Sequence, residues 1–182
     1  MSTFFTIGHS TRTIAEFVDL LQESHVDFVV DVRSIPRSRT NPQFNGESLP
    51  ETLAPWQIAY EHIAELGGLR GKTPSTEPSP NNYWRVRGFR NYADYALTKP
   101  FSVGLARLRK LGGQHRCAIM CAEAVWWRCH RRIITDYLLS EGEQVMHILG
   151  RSHVDKASLT PGAEVCRDGT IIYPTERPRT GI

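Results

Sequence analysis

Residues 116–148 read RCAIMCAEAVWWRCHRRIITDYLLSEGEQVMHI, and this stretch decides the fold. Arg116 to Met120 is an apolar run too short for a helix, bounded by a polar loop, and it predicts a buried strand. Cys121 to about Val125 is that loop. From there to Leu139, Trp126, Cys129 or His130, Ile133, Ile134, Tyr137 and Leu138 recur at helical spacing, and Gly142 closes the helix. Gln144 to Ile148 is a second strand. Strand, helix and strand in this order form the unit from which parallel sheets are built.

Working outward, the N-terminus repeats the pattern. Phe4 to Ile7 reads as a strand, Gly8 to Arg12 as a loop, and residues 13–24 as a helix with Thr13 as its N-cap and Phe17, Leu20 and Leu21 on one face. Asp27 to Arg33 carries the apolar run Phe28-Val29-Val30 and Val32, which suits a strand covered on both faces. Two such units imply one α/β sheet, mainly parallel, with helices on both faces. Between them, residues 34–101 are irregular. A short helix near Glu51, a strand at Gln57 to Tyr60, a Gly67-Gly68 turn and an exposed loop at Lys72 to Asn82 are expected there. Helices follow at Asn91 to Leu97 and Ser102 to Lys110, separated by Pro100. Asp168-Gly169, flanked by Glu164 to Arg167 and Thr170 to Tyr173, predicts a C-terminal hairpin. The expectation is a single domain over residues 1–182, with its core at about 3–149 and a less diagnostic tail at 150–182.

At 182 residues such a domain buries about 70% of the surface of its unfolded chain and needs no staple. The composition, 40% hydrophobic and 23% charged, is that of a globular protein. No apolar run is long enough for a bilayer span and the N-terminus lacks a signal-peptide pattern, so a cytoplasmic protein with no membrane partner is expected. The four cysteines are then expected to stay reduced. The net charge of +3, from 22 basic and 19 acidic residues, is small. Arginines nevertheless cluster at Arg33, Arg37 and Arg39, at Arg85, Arg87 and Arg90, and at Arg128, Arg131 and Arg132, a pattern that suits an anionic ligand.

Open parallel sheets bind ligands beyond the carboxyl ends of their strands. His9 and Ser10, Asp31 to Arg33, and Cys121 to Glu123 all follow strands and therefore gather at one rim. Cys121, where a strand ends and a helix is about to begin, is the sharpest candidate for a nucleophilic or redox thiol. Glu123 and His9 are candidates for proton transfer. Ser10, Arg12, Arg33, Arg39, Cys129, His130 and Arg131 are candidates for holding an anionic substrate. The bland readings stand beside these: cysteines as small core residues, Glu123 as complement to a helix N-terminus, Asp31 paired with Arg33, and Cys129 packed toward Ile133. A second class of function, nucleic-acid binding, rests on the arginine groups and on the aromatics interleaved with basic residues from Trp84 to Tyr92.

No cofactor motif is present. A mixed metal site of Cys121 and Cys129 with His130 or His9 is opposed by helix geometry. Adjacent residues of a helix project about 100° apart and reach one ion only from an irregular turn, so no stoichiometric metal is expected.

Several motifs in one order carry a family resemblance. They are Thr6-Ile7-Gly8-His9-Ser10-Thr11-Arg12, Asp31-Val32-Arg33 with Pro36, Ser38 and Arg39, Leu66-Gly67-Gly68, Gly88-Phe89-Arg90 with Tyr92-Ala93-Asp94-Tyr95, and Met120-Cys121-Ala122-Glu123 followed by Cys129-His130-Arg131. Together they resemble the bacterial and archaeal proteins grouped as domain of unknown function 488, over most of residues 3–149. That resemblance implies the same domain and draws attention to the same rim, and it implies no activity. A looser likeness is to rhodanese-like domains, where a strand ending in Asp-Val-Arg and a later strand, cysteine loop and helix surround a catalytic cysteine. Here the Cys121 loop carries Glu123 and two tryptophans in place of the short anion cradle of those enzymes.

Overall fold

Local chemistry fixes the first crossover. In the computed structural model, which describes residues 1–175, Thr13 caps helix α1 (Ile14–Glu23). The Thr13 hydroxyl accepts the Glu16 amide at 3.1 Å and the Glu16 carboxylate accepts the Thr13 amide at 2.8 Å. Two of the orphan donors at the helix start are thereby satisfied. This helix joins β1 (Thr3–Gly8) to β2 (Phe28–Asp31), whose four residues are all buried.

The remaining elements are α2 (Leu49–Leu53), β3 (Ala59–His62), α3 (Arg87–Tyr95), α4 (Lys99–Gly112), β4 (Cys117–Cys121), α5 (Arg131–Ser140), β5 (Gln144–Gly150) and β6 (His153–Lys156), then a small hairpin of β7 (Glu164–Val165) and β8 (Ile171–Ile172). The six-stranded sheet runs β3-β2-β4-β1-β5-β6. Its first five strands are parallel and β6 is antiparallel to β5.

Side chains alternate across the sheet and build two cores. Phe4, Val30, Ile119 and Val145 meet α3, α4 and α5 on one face. Phe5, Ile7, Val29, Met120 and Ile148 meet α1 and α2 on the other. The domain is therefore α/β with helices on both faces. Among the described residues no helix is long and apolar enough to cross a membrane.

Some local expectations are corrected. Pro100 does not separate two helices but lies within the first turn of α4, where its missing N–H is not needed and its fixed φ fits. The helix expected after Val125 begins only at Arg131. Residues 126–128 form a separate 3-10 turn, and Cys129 after it is extended, at φ −129° and ψ 147°. The tail contributes more than a hairpin: β6 extends the sheet, and Tyr173 is fully buried with its hydroxyl donating to Asp136 at 2.8 Å. The part of the expected domain beyond residue 175 lies outside the described residues.

Candidate active site

Parallel pairing brings the carboxyl ends of β1, β2 and β4 together, with Gly8 opposite Cys121 and Asp31 opposite Met120. Gly8 has to be small, because a Cβ there would collide with the Glu123 carbonyl. The His9 and Ser10 amides continue the ladder, donating to the Cys121 and Ala122 carbonyls at 2.9 and 3.0 Å. Ser10 follows at φ 46°.

Asp31 and Arg33 form a buried network. The Asp31 carboxylate accepts the Arg33 amide, Nε and Nη2, and the Tyr60 hydroxyl at 2.6 Å. Arg33 also donates Nη2 to the Phe44 carbonyl at 2.7 Å and Nη1 to His9 Nε2 at 3.2 Å. Four of its five N–H groups are thus engaged. Because a guanidinium can only donate, His9 Nε2 must be the accepting nitrogen, and Nδ1–H donates to the Ser10 carbonyl at 2.9 Å. Burial lowers the His9 pKa, against the opposing pull of that carbonyl bond. The ring is stacked on Phe44 at 4.5 Å. His9 is a neutral group behind Arg33, away from the cavity described below.

Beside it lies a second buried cluster. Cys129 Sγ accepts Arg131 Nε at 3.2 Å and lies 3.6 Å from His130 Nδ1. The Cys121 sulfur lies within 4.8 Å of the same sulfur. Arg131, 1% exposed, also donates Nη2 to the Glu123 carbonyl. Burial by itself raises the Cys129 thiol, but the Cys121 hydrogen bond, Arg131 and His130 outweigh it and hold Cys129 well below the usual thiol range. The hydrogen bond to Cys129, together with burial, pushes Cys121 well above that range. Of the two sulfurs, Cys129 has the surroundings that favour a thiolate, whereas helical spacing assigned it to packing and the strand-end position pointed to Cys121.

His130 is held on three sides. Its Nε2 donates to the Val32 carbonyl at 2.8 Å, so Nδ1 faces the Cys129 sulfur and either donates to it, when it carries a proton, or offers it a lone pair. Tyr92 meets the ring edge-on at 5.0 Å. A Cβ on Gly68 would sit 2.7 Å from both Cε1 and Cγ and closer still to Nδ1. Those near-equal distances place Gly68 over the ring face, so glycine is required there for close approach.

The cluster forms part of the wall of a cavity of about 590 Å³ that also takes in Arg33, Ser34, Ile35, Arg37, Gly68, Leu69, Val86, Phe89, Glu123 and Arg128. The wall is mainly apolar, with arginines at its margin. Arg37 pairs with Glu47, while Arg128 is exposed.

The family model described as domain of unknown function DUF488 matches residues 13–138. The chain belongs to the DUF488 family. The match takes in every strand end of the site except that of β1, and neither a curated protein nor a solved structure matches the chain.

In this DUF488 chain the structure brings Cys121, Glu123, Cys129, His130 and Arg33 to one cavity. Arg131 and His9 stand behind it. Arg12 instead staples two strand ends, donating to the Gly8 and Leu149 carbonyls. Arg39 is exposed and Ser10 half-buried, and neither lines the cavity. Of the aromatics in the Trp84 to Tyr92 segment, Trp84 and Tyr92 are buried, while Phe89, half-buried and stacked on Trp84 at 4.9 Å, lines the cavity. Sequence reasoning missed the apolar wall of Ile35, Leu69 and Val86, whose one signal is that all three stay exposed although apolar. Such a signal exists only once the chain is folded.

Proposed function

We propose that this protein is a cysteine-dependent enzyme in which Cys129, not Cys121, attacks the substrate. The carrying observation is the Arg131 Nε hydrogen bond to the Cys129 sulfur, 3.2 Å long, at the wall of a cavity large enough for a small molecule. A sulfur held by a guanidinium is an available nucleophile at neutral pH. Cys121 stands beside it, and Glu123, on the same wall, is the group for proton transfer with the substrate. The apolar wall and the Arg37 and Arg128 margin suit a substrate with an apolar body and an anionic group. A reducing, cytoplasmic setting belongs to the same reading, because the reaction needs both thiols free.

The experiment is adduct trapping with two matched chloroacetamides, one bearing an aryl carboxylate and the other its neutral amide. The expected product is a single adduct at Cys129 by peptide mapping, formed faster with the carboxylate, a preference reduced in Arg128→Ala. Labelling that begins at Cys121 or Cys166, or that shows no charge preference, overturns the proposal.

A further inference from the structure

The reason for expecting no metal was that Cys129 and His130 would be adjacent residues of one helix. The structure removes that reason. Cys129 is extended, and His130 is the cap residue preceding α5, so the two side chains converge instead of splaying apart. Cys121, Cys129 and His130 present one sulfur, one sulfur and one ring nitrogen, all within 4.8 Å of one another.

The spacing carries information. A tetrahedral zinc ion with Zn–S of about 2.3 Å and Zn–N of about 2.05 Å keeps its sulfur and nitrogen ligands about 3.6 Å apart. The Cys129 Sγ to His130 Nδ1 distance is 3.6 Å, which suits a sulfur hydrogen bond in the metal-free protein and equally two ligands of one ion. The outer contacts agree. Ligating histidines commonly donate their second ring nitrogen to a carbonyl or carboxylate, and His130 Nε2 donates to the Val32 carbonyl at 2.8 Å. That bond leaves Nδ1 on the side of the sulfurs, where its lone pair can go to an ion. Arg131 Nε, at 3.2 Å from Cys129, is placed as an N–H donor to a metal-bound thiolate.

We infer that Cys121, Cys129 and His130 form a binding site for a zinc-like divalent ion. Two sulfurs and an imidazole favour zinc over magnesium or calcium, which take oxygen ligands. Both sulfurs bind as thiolates, any thiol proton leaving to solvent, and their two charges balance those of the ion. The fourth position faces the cavity and is filled by water or by a ligand from it. The inference does not rest on the proposed reaction. It adds a consequence: a metal-bound Cys129 is no longer a free nucleophile, so the ion switches the thiolate chemistry off.

The test uses the full-length chain, reduced and stripped with a chelator that is then removed. Cobalt(II) is the spectroscopic probe. One equivalent is expected to give thiolate-to-cobalt charge-transfer absorption and the strong visible bands of a tetrahedral ion, both displaced by zinc. The signal is lost in Cys129→Ser and weakened in His130→Gln, and it persists in Cys117→Ser and Cys166→Ser. Should the site variants fail to fold, the wild-type protein still decides. X-ray absorption of the zinc form is expected to show two sulfurs at about 2.3 Å and nitrogen at about 2.0 to 2.1 Å. With zinc at about a hundred times its Kd, alkylation of Cys129 is expected to fall about a hundredfold while Cys166 is unaffected. Absence of sulfur ligation in the wild type, or a cobalt signal that survives Cys129→Ser, overturns the site. If zinc binds as stated but the metal-free Cys129 captures no electrophile, the metal site stands and the proposed reaction falls.

Discussion

Two buried polar clusters lie side by side on the same rim, and they differ in what their groups are left to do. In the Asp31–Arg33 network the carboxylate takes the arginine fork and the Tyr60 hydroxyl, and the arginine holds His9 and the Phe44 carbonyl as well. Only one guanidinium N–H of Arg33 is left over toward the cavity. In the Cys121–Cys129 cluster, Arg131 and the Cys121 thiol converge on one sulfur, and that sulfur reaches a cavity wall. Both sets of residue types look catalytic in the sequence. What separates them is whether the charged atoms are nearly saturated by the fold or exposed to a ligand.

The comparison breaks most visibly under substitution. Asp31→Ala leaves Arg33, 5% exposed, as an unpaired buried charge and is expected to cost about 3 to 5 kcal/mol in urea unfolding. Cys129→Ser in the open cluster is expected to cost about 1 kcal/mol and to abolish adduct formation. Equal stability losses in the two variants would erase the distinction.

A third buried group gives the next effect. His147 accepts or donates to Thr6 at 2.8 Å and stacks on Trp126 at 4.3 Å. Burial, with a smaller contribution from Arg131, holds its pKa down to about 4, against 6.5 for a free histidine. The unfolded chain therefore binds the proton first. The contribution of His147 is complete above pH 6.5, is lost as pH falls from there to about 4, and is on the order of 3 kcal/mol. Urea midpoints at pH 7 and pH 4.5 measure it as the difference between wild type and His147→Gln. An identical drop in both proteins contradicts this assignment.

Gly68→Ala probes the open cluster from its back. The new methyl meets the His130 ring and is expected to cost about 1 to 3 kcal/mol, with slower alkylation of Cys129 because the ring is displaced. Unchanged stability and reactivity would show that the ring gives way freely.

Much of this was legible in the sequence, and for identifiable reasons. Apolar runs such as Phe28-Val29-Val30 and the Thr13 cap mark strands and a helix start through local chemistry. The strand ends then bring Asp31, Cys121 and His9 to one rim through topology. Illegible was the break at residues 126–130, where two tryptophans and a cysteine continue the helical period while the backbone turns. That break decides that Cys129 meets Arg131 and His130. The fate of Arg33 was illegible too, since Phe44 comes from an irregular segment whose path periodicity does not encode, and the expected strand at Tyr60 carried no sign of the strand beside which it would pair. β6 went unread because His153 to Lys156 alternates without an apolar run.

The central claim is that Arg131 makes Cys129 the reactive sulfur. Site-resolved iodoacetamide alkylation of the metal-free protein at pH 7, followed by peptide mapping, tests it directly. Cys129 is expected to react first and to keep its lead in Cys121→Ser. It is expected to slow by about tenfold or more in Arg131→Met, which removes a charged hydrogen bond. Cys117, buried in β4 with its thiol pushed up to about 12, should remain unmodified. Faster reaction at Cys121, or a Cys129 rate indifferent to Arg131, would contradict the account.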